Sequence, residues 1–192
     1  MTNRCAWPTG NQLMIDYHDH EWGEPLHDDV KIFEFMVLDA FQAGLSWLTI
    51  IKKRENFRKA FDGYDIKKIA SYGEKEFERL MNDAGIIRNR LKITATIQNA
   101  KQYLKVQQEF GSFDAYIWHF TDGKTVINSW KSLSELPAKT ELSDRISRDL
   151  LKRGFKFVGS TIIYAFMQAM GIVNDHTVDC YRYKELVSLT KK

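Results

Sequence analysis

The stretch Phe35–Ile51, FMVLDAFQAGLSWLTII, decides the fold. With the residues before it, Phe33, Met36, Val37, Ala40 and Phe41 recur at i, i+3, i+4, the period of a helix from Val30 to Ala43. Gly44 is a natural stop, and Ser46 is placed to cap a second helix through Trp47, Ile50, Ile51, Phe57 and Phe61. The same periodicity continues outward. It predicts helices over Glu74–Ala84, ending at Gly85; over Arg88–Phe110, with Ile93, Ile97, Ala100 and Leu104 inward; and, shorter, over Ser112–Phe120 and Ser143–Arg153. Ser160–Met170 reads as a mostly apolar helix closed by Gly171. No run shows sustained strand alternation, so the expected class is all-α.

Composition is that of one soluble globular domain spanning 1–192, with room for two helical lobes. The chain has 192 residues, 44% hydrophobic and 28% charged, without repeats or low-complexity tracts. Pro137 and several Ser and Thr residues make 128–142 a surface loop rather than a boundary. The net charge of +3 permits a polyanionic partner without demanding one. No secretory signal or transmembrane run is apparent, which points to the cytoplasm and no membrane partner.

Four groups of residues carry chemistry. The only two cysteines each stand near a histidine, Cys5 with His18 and His176 with Cys180. Together they form the Cys₂His₂ donor set of a closed tetrahedral zinc site, and a helix would put His176 and Cys180 on one face. Two unrelated buried thiols, or a disulfide disfavoured by a reducing compartment, fit the same pattern. Asp39 is the one charged residue of Phe35–Ile51, on a helix apolar over most of its circumference, so burial obliges it to find a structural partner or a ligand. Trp7, Tyr17, Trp22 and Trp47 are core residues or the lining of a pocket for a flat ligand. Finally, Leu80–Arg90 reads as two helices meeting at a hairpin containing Gly85. Arg88, Arg90 and Lys92 there make either a solvated face or a phosphate site at a helix N-terminus; Lys152, Arg153 and Lys156 before Gly159 pose the same choice.

Taken in order, Arg4–Trp7 (RCAW), Tyr17–Gly23 (YHDHEWG), Gln42–Trp47 (QAGLSW), Lys52–Asn56 (KKREN), Ala84–Arg88 (AGIIR), Lys152–Gly159 (KRGFKFVG) and Asn174–His176 (NDH) resemble the 3-methyladenine DNA glycosylase I family over nearly the whole chain. The resemblance implies a helix-hairpin-helix glycosylase fold whose terminal segments are joined by a structural Zn²⁺ on Cys5, His18, His176 and Cys180. It implies hydrolysis of the N-glycosidic bond of 3-methyladenine in double-stranded alkylated DNA, with the free base as product and an abasic site left behind. The base would be flipped out of the helix. Tyr17 and Trp47 would sandwich it, and Trp7 and Trp22 would wall the pocket, favouring a cationic base through cation–π attraction. Gly85, Arg88 and Arg90 would hold the DNA, and Leu45 would fill the vacated stack. Size and family favour a monomer.

One departure stands out. Where the family commonly carries glutamate, this chain has Asp39, which keeps the charge but reaches one methylene less far; a bridging water or a small helix shift would restore contact with the base. Asp39 is the expected catalytic residue in the sense of base recognition, and no residue reads as a general base. A non-catalytic DNA-damage binder on the same scaffold is the alternative. A zinc hydrolase is disfavoured because four protein ligands leave no open coordination position.

Overall fold

A computed structural model describes residues 3–8 and 10–189, so the extreme ends of the expected 1–192 domain lie outside the described residues. The helices are α1 (Gln12–His20), α2 (Asp29–Gln42), α3 (Trp47–Ile51), α4 (Arg54–Ala60), α5 (Ile66–Ala70), α6 (Glu74–Asn82), α7 (Arg90–Phe110), α8 (Phe113–Trp118), α9 (Glu141–Lys152), α10 (Ser160–Ala169) and α11 (Tyr181–Leu189). The protein is mostly helical. Two short strands, β1 (Val126–Ile127) and β2 (Val173–Asn174), pair in parallel, Val126 with Val173 and Ile127 with Asn174. That pairing fixes the chain just before Asp175 and His176.

Helix α2 is central. The Asp28 carboxylate accepts the Lys31 N–H at 2.8 Å and starts it. Ten of its residues, from Ile32 to Phe41, are buried, because α10, α7 and α8 all pack against it. Asp29 binds its first turn to two neighbours: the carboxylate accepts the Phe113 and Asp114 N–H groups and the Gln107 amide. The helix stops where Gly44 takes φ +80°, a left-handed conformation that glycine adopts without steric cost. At Gly171 (φ +70°) an added Cβ would stand 2.4 Å from the Glu24 carbonyl carbon, so the turn after α10 has room for hydrogen only.

The structure corrects several expectations. The single helix predicted after Ser46 is two. Ser46 caps α3 through the Thr49 N–H, but the chain breaks at Lys52–Lys53 and restarts as α4. Lys53 instead reaches across to the carbonyls of Ala84 and Gly85. Helices α1, α5 and α11 are short, nine, five and nine residues, and were not expected. Lys92, expected to add charge to a phosphate site, is 6% exposed. Its Nζ donates to the carbonyls of Phe41 (2.8 Å) and Ala43 (2.6 Å). It therefore caps the negative end of α2, where free carbonyls and the helix dipole favour a cation. Arg153 is likewise occupied, by Asp149 and Glu109, with its guanidinium 5.0 Å from the ring centres of Phe110 and Tyr116. His176 and Cys180 are not on a helix. The Cys180 N–H closes a turn on the Thr177 carbonyl at 2.8 Å, just before α11, and this turn brings the two side chains together as a helix would have.

Candidate metal centre and base pocket

Cys5, His18, His176 and Cys180 converge. One ligand atom from each lies within 4.8 Å of the others, and all four residues are buried. The Cys5 Sγ to His176 Nδ1 separation is 3.6 Å; Cys180 Sγ lies 3.5 Å from both His18 Nε2 and His176 Nδ1. Metal–sulfur bonds of about 2.3 Å and metal–nitrogen bonds of about 2.0–2.1 Å at tetrahedral angles give S···N separations near ~3.5 Å. The donor set and spacing thus fit a four-coordinate ion, and the cluster could hold one.

The surrounding hydrogen bonds orient each ligand. His18 Nδ1 donates to Asp19 at 2.8 Å, which leaves Nε2 for a metal. His176 Nε2 donates to the Trp22 carbonyl at 2.9 Å, which leaves Nδ1. Asp19 is gripped by the Arg4 guanidinium. Burial works against its charge, but Arg4 and His18 together hold its carboxyl well below the usual carboxylate range. The Thr177 N–H and hydroxyl both point at Cys5 Sγ. Between the thiols, Cys180 is pulled down by its bond from Cys5 and by the two imidazoles.

The metal cluster and the aromatic pocket share elements. Helix α1 supplies both His18 and Tyr17, and Trp7 follows Cys5 by two residues. Trp7, Tyr17, Trp22 and Trp47 line one cavity of about 220 Å³ together with Asp39 and Gln42 of α2 and Ala165 and Gln168 of α10. Met14 and Leu136 complete it. Asp39, 4% exposed, is there because α2 turns this face toward α10. Burial pushes its carboxyl well above the ordinary range. Burial, followed by the charge of Asp39, does the same to the Tyr17 phenol.

Five buried side-chain atoms among the described residues have no hydrogen-bond partner, and three belong to this cavity: Asp39 Oδ2, Trp7 Nε1 and Trp47 Nε1. Such atoms cost about 1–3 kcal/mol each when left unsatisfied. One acceptor and two donors orphaned in one aromatic cavity describe the complement of a flat, polar heterocycle.

The rings are not parted. Tyr17 and Trp47 have centroids 5.1 Å apart and tilted by 48°. A base between them needs about 7 Å, twice the 3.5 Å optimum carbon separation. Trp7 meets Trp22 edge-on at 5.1 Å. An adjoining chamber of about 210 Å³ shares Asp39, Gln42 and Ala165 and adds Leu45, Thr161 and Ile162. Leu45 is 40% exposed there.

Gly85, Arg88 and Arg90 join neither chamber. Gly85 sits in a turn braced by Asp83, Lys53 and Asn56. Arg88 is exposed, and the Arg90 guanidinium lies 4.7 Å from the centre of the Phe77 ring. Gln42, Ala165 and Gln168 escaped the reading of the sequence. Gln168 left one signal, as the lone amide in the apolar run from Ile162 to Met170; Leu136, on an irregular loop, left none.

A helical frame that presents an aromatic cavity with an orphaned carboxylate beside a buried Cys₂His₂ cluster defines a class of protein suited to hold a flat, polar ligand. Residues 7–183 match the methyladenine glycosylase family, and the chain belongs to it. It is 49% identical over 180 residues to DNA-3-methyladenine glycosylase 1 of Escherichia coli (strain K12), covering 94% of this chain and 96% of that protein. The crystal structure of a 3-methyladenine DNA glycosylase I superposes with a TM-score of 0.90 at 48% identity, over 93% of this chain and 98% of that one. A single-residue variant of such an enzyme, solved in complex with 3-methyladenine, gives a TM-score of 0.90 at 34% identity, over 94% and 97%.

Proposed function

We propose that this protein is a base-excision repair enzyme, a hydrolase of N-glycosyl bonds that releases 3-methyladenine from alkylated DNA. The carrying observation is the orphaned trio of Asp39 Oδ2, Trp7 Nε1 and Trp47 Nε1 in one aromatic cavity. A base extruded from the duplex enters by displacing Trp47 from Tyr17. N3-methylation makes the base cationic. It is held by the electron-rich rings of Tyr17 and Trp47, with Trp7 and Trp22 as walls, and by Asp39, whose shorter side chain is brought within reach by a bridging water or a small shift of α2. When the glycosidic bond breaks, the base keeps the bonding pair and leaves neutral. Water adds its oxygen to the sugar carbon and loses a proton. The lability of the leaving group replaces a dedicated general base.

The metal is structural Zn²⁺, the ion that best suits two thiolates and two imidazoles in a closed tetrahedron. It ties the terminal segments of one 1–192 domain and holds α1, and so Tyr17, in register.

DNA is gripped by helical hairpins. The stronger phosphate site is the turn between α9 and α10. Gly159 caps α10 with no side-chain hydrogen bond, so its first N–H groups are free, whereas Asn89 already caps α7. Asn99 pins that turn through both backbone groups of Lys156, whose side chain is exposed. We take α9–turn–α10 as the helix-hairpin-helix element, with the Gly85 turn, Arg88 and Arg90 as a second backbone contact and Leu45 as the wedge. Lys156→Ala is expected to lower the slope of log affinity against log salt by about one, without changing which bases are released; an unaltered slope would remove Lys156 from the interface.

The test of the function is release of free bases from methylated duplex DNA by purified protein, resolved by chromatography. 3-Methyladenine should appear in excess of enzyme, with 7-methylguanine retained. Tight binding of methylated DNA without release would establish a damage binder instead.

A further inference from the structure

Gln168 occupies a position that the reaction above leaves without a task. It follows Ala165 by three residues on α10, and both line the cavity that Asp39 lines from α2. On its other side is Asp175, fully buried and accepting four hydrogen bonds, two per oxygen. Asn128 Nδ2 (2.6 Å) and Trp130 Nε1 (2.7 Å) donate to Oδ1; the Tyr164 hydroxyl and Gln168 Nε2 (2.8 Å) donate to Oδ2.

A carboxylate offers about four acceptor sites, so this one is saturated and has nothing to donate. That fixes the Gln168 amide. Flipping it would set its carbonyl against Asp175 Oδ2, acceptor against acceptor, and cost that oxygen one of its two donors. With Nε2 committed to Asp175, Oε1 is the free end. It accepts from no described group, and it is not sealed from open space.

We infer that Gln168, oriented by Asp175, is a second acceptor beside Asp39 through which the cavity reads the exocyclic amino group of a 6-aminopurine, making it a determinant of adenine-type over guanine-type lesions. The inference rests on the proposed base-excision function and adds its selectivity. Adenine carries a two-hydrogen donor at position 6, where guanine carries a carbonyl acceptor. Two acceptors on the wall satisfy both hydrogens of the former and meet the latter with unpaired lone pairs. A site built to hydrogen-bond a group rejects the analogue lacking it far more strongly than an apolar pocket does. The indole N–H groups of Trp7 and Trp47 remain for ring nitrogens.

The cleanest comparison uses 3-methyladenine and 3-methylhypoxanthine, which carry an amino or an oxo group at position 6, the oxo base also bearing a hydrogen on N1. Binding is followed by quenching of tryptophan fluorescence. Wild type should prefer the amino base by about 100-fold or more. Gln168→Met, similar in length but without an acceptor, should cut that preference about tenfold, the worth of one hydrogen bond, by weakening the amino base alone. In DNA, the same variant should narrow the ratio of 3-methyladenine to 3-methylguanine release. Equal weakening of both free bases would mean that Gln168 merely supports the fold, and the inference would be wrong. Equal binding of both by wild type would overturn it whatever the variant does. A wild type that excises 3-methyladenine yet fails this comparison keeps its function and loses this selectivity device; one that excises nothing loses both.

Discussion

Replacing Asp39 by asparagine is expected to slow release of 3-methyladenine about 100-fold, the loss of one charge-assisted hydrogen bond to a cationic base. The same substitution should make the protein more stable at neutral and alkaline pH. Burial lifts the folded-state pKa of Asp39 well above its unfolded value. The folded chain therefore holds this proton more tightly. The resulting stabilisation is complete below the unfolded pKa, near 4, and is lost as pH rises through the folded pKa. Asparagine has no charge to suppress. Melting curves of wild type and Asp39→Asn should accordingly coincide near pH 4 and diverge toward pH 8, with the variant higher. Parallel curves would show that Asp39 is not the source of the pH dependence, and turnover within threefold of wild type would remove it from base recognition. Asp39→Glu, which restores the methylene, is the natural companion.

Removing the proposed metal is the second large perturbation. A chelator, or Cys5→Ser, should lower stability by about 4 kcal/mol or more, the linkage expected for an ion present at 1,000 times its Kd, and drop the melting temperature by roughly 10 °C. The effect is large because the site joins positions 171 residues apart, Cys5 and His176. One metal per chain should be released, and its loss should loosen Trp7 and Tyr17, since their neighbours Cys5 and His18 belong to the proposed ligand set. Excision should then fall through disorder of the pocket and not through lost chemistry. Reconstitution with Co²⁺ should restore both stability and base release, because a site closed by four protein ligands offers water no position. A melting temperature indifferent to chelation would return the cluster to four buried side chains without an ion.

Much of this was legible in the residues. The apolar period of Phe33–Phe41, broken by Gly44, is local information, as is the cap at Ser46, so α2 and the start of α3 follow from the chain alone. Asp39 announced itself as the one charge in the apolar stretch Phe35–Ile51, and the two Cys/His pairs as a donor set. Short elements were not legible: α1 packs on α3 and α5 on α7, partners set apart in sequence, and the break at Lys52–Lys53 accompanies the reach of Lys53 to the Gly85 turn. Lys92 shows why charge alone misleads. Its position after Arg90 suggests a basic face, yet the end of α2, distant in sequence, decides that it is buried.

By itself the sequence determined the helical class, the donor set, the aromatic set and the isolated carboxylate, because each depends on residue type and nearby spacing. Only the tertiary structure decided that Asp39, Trp7 and Trp47 leave unpaired atoms in one cavity, that Asp175 turns the Gln168 carbonyl free, and that the hairpin before α10 keeps its N–H groups open. These are matters of which polar group finds a partner, and partners such as Gln168 and Asp175, or Lys92 and Phe41, are assigned by packing between segments that no local period connects.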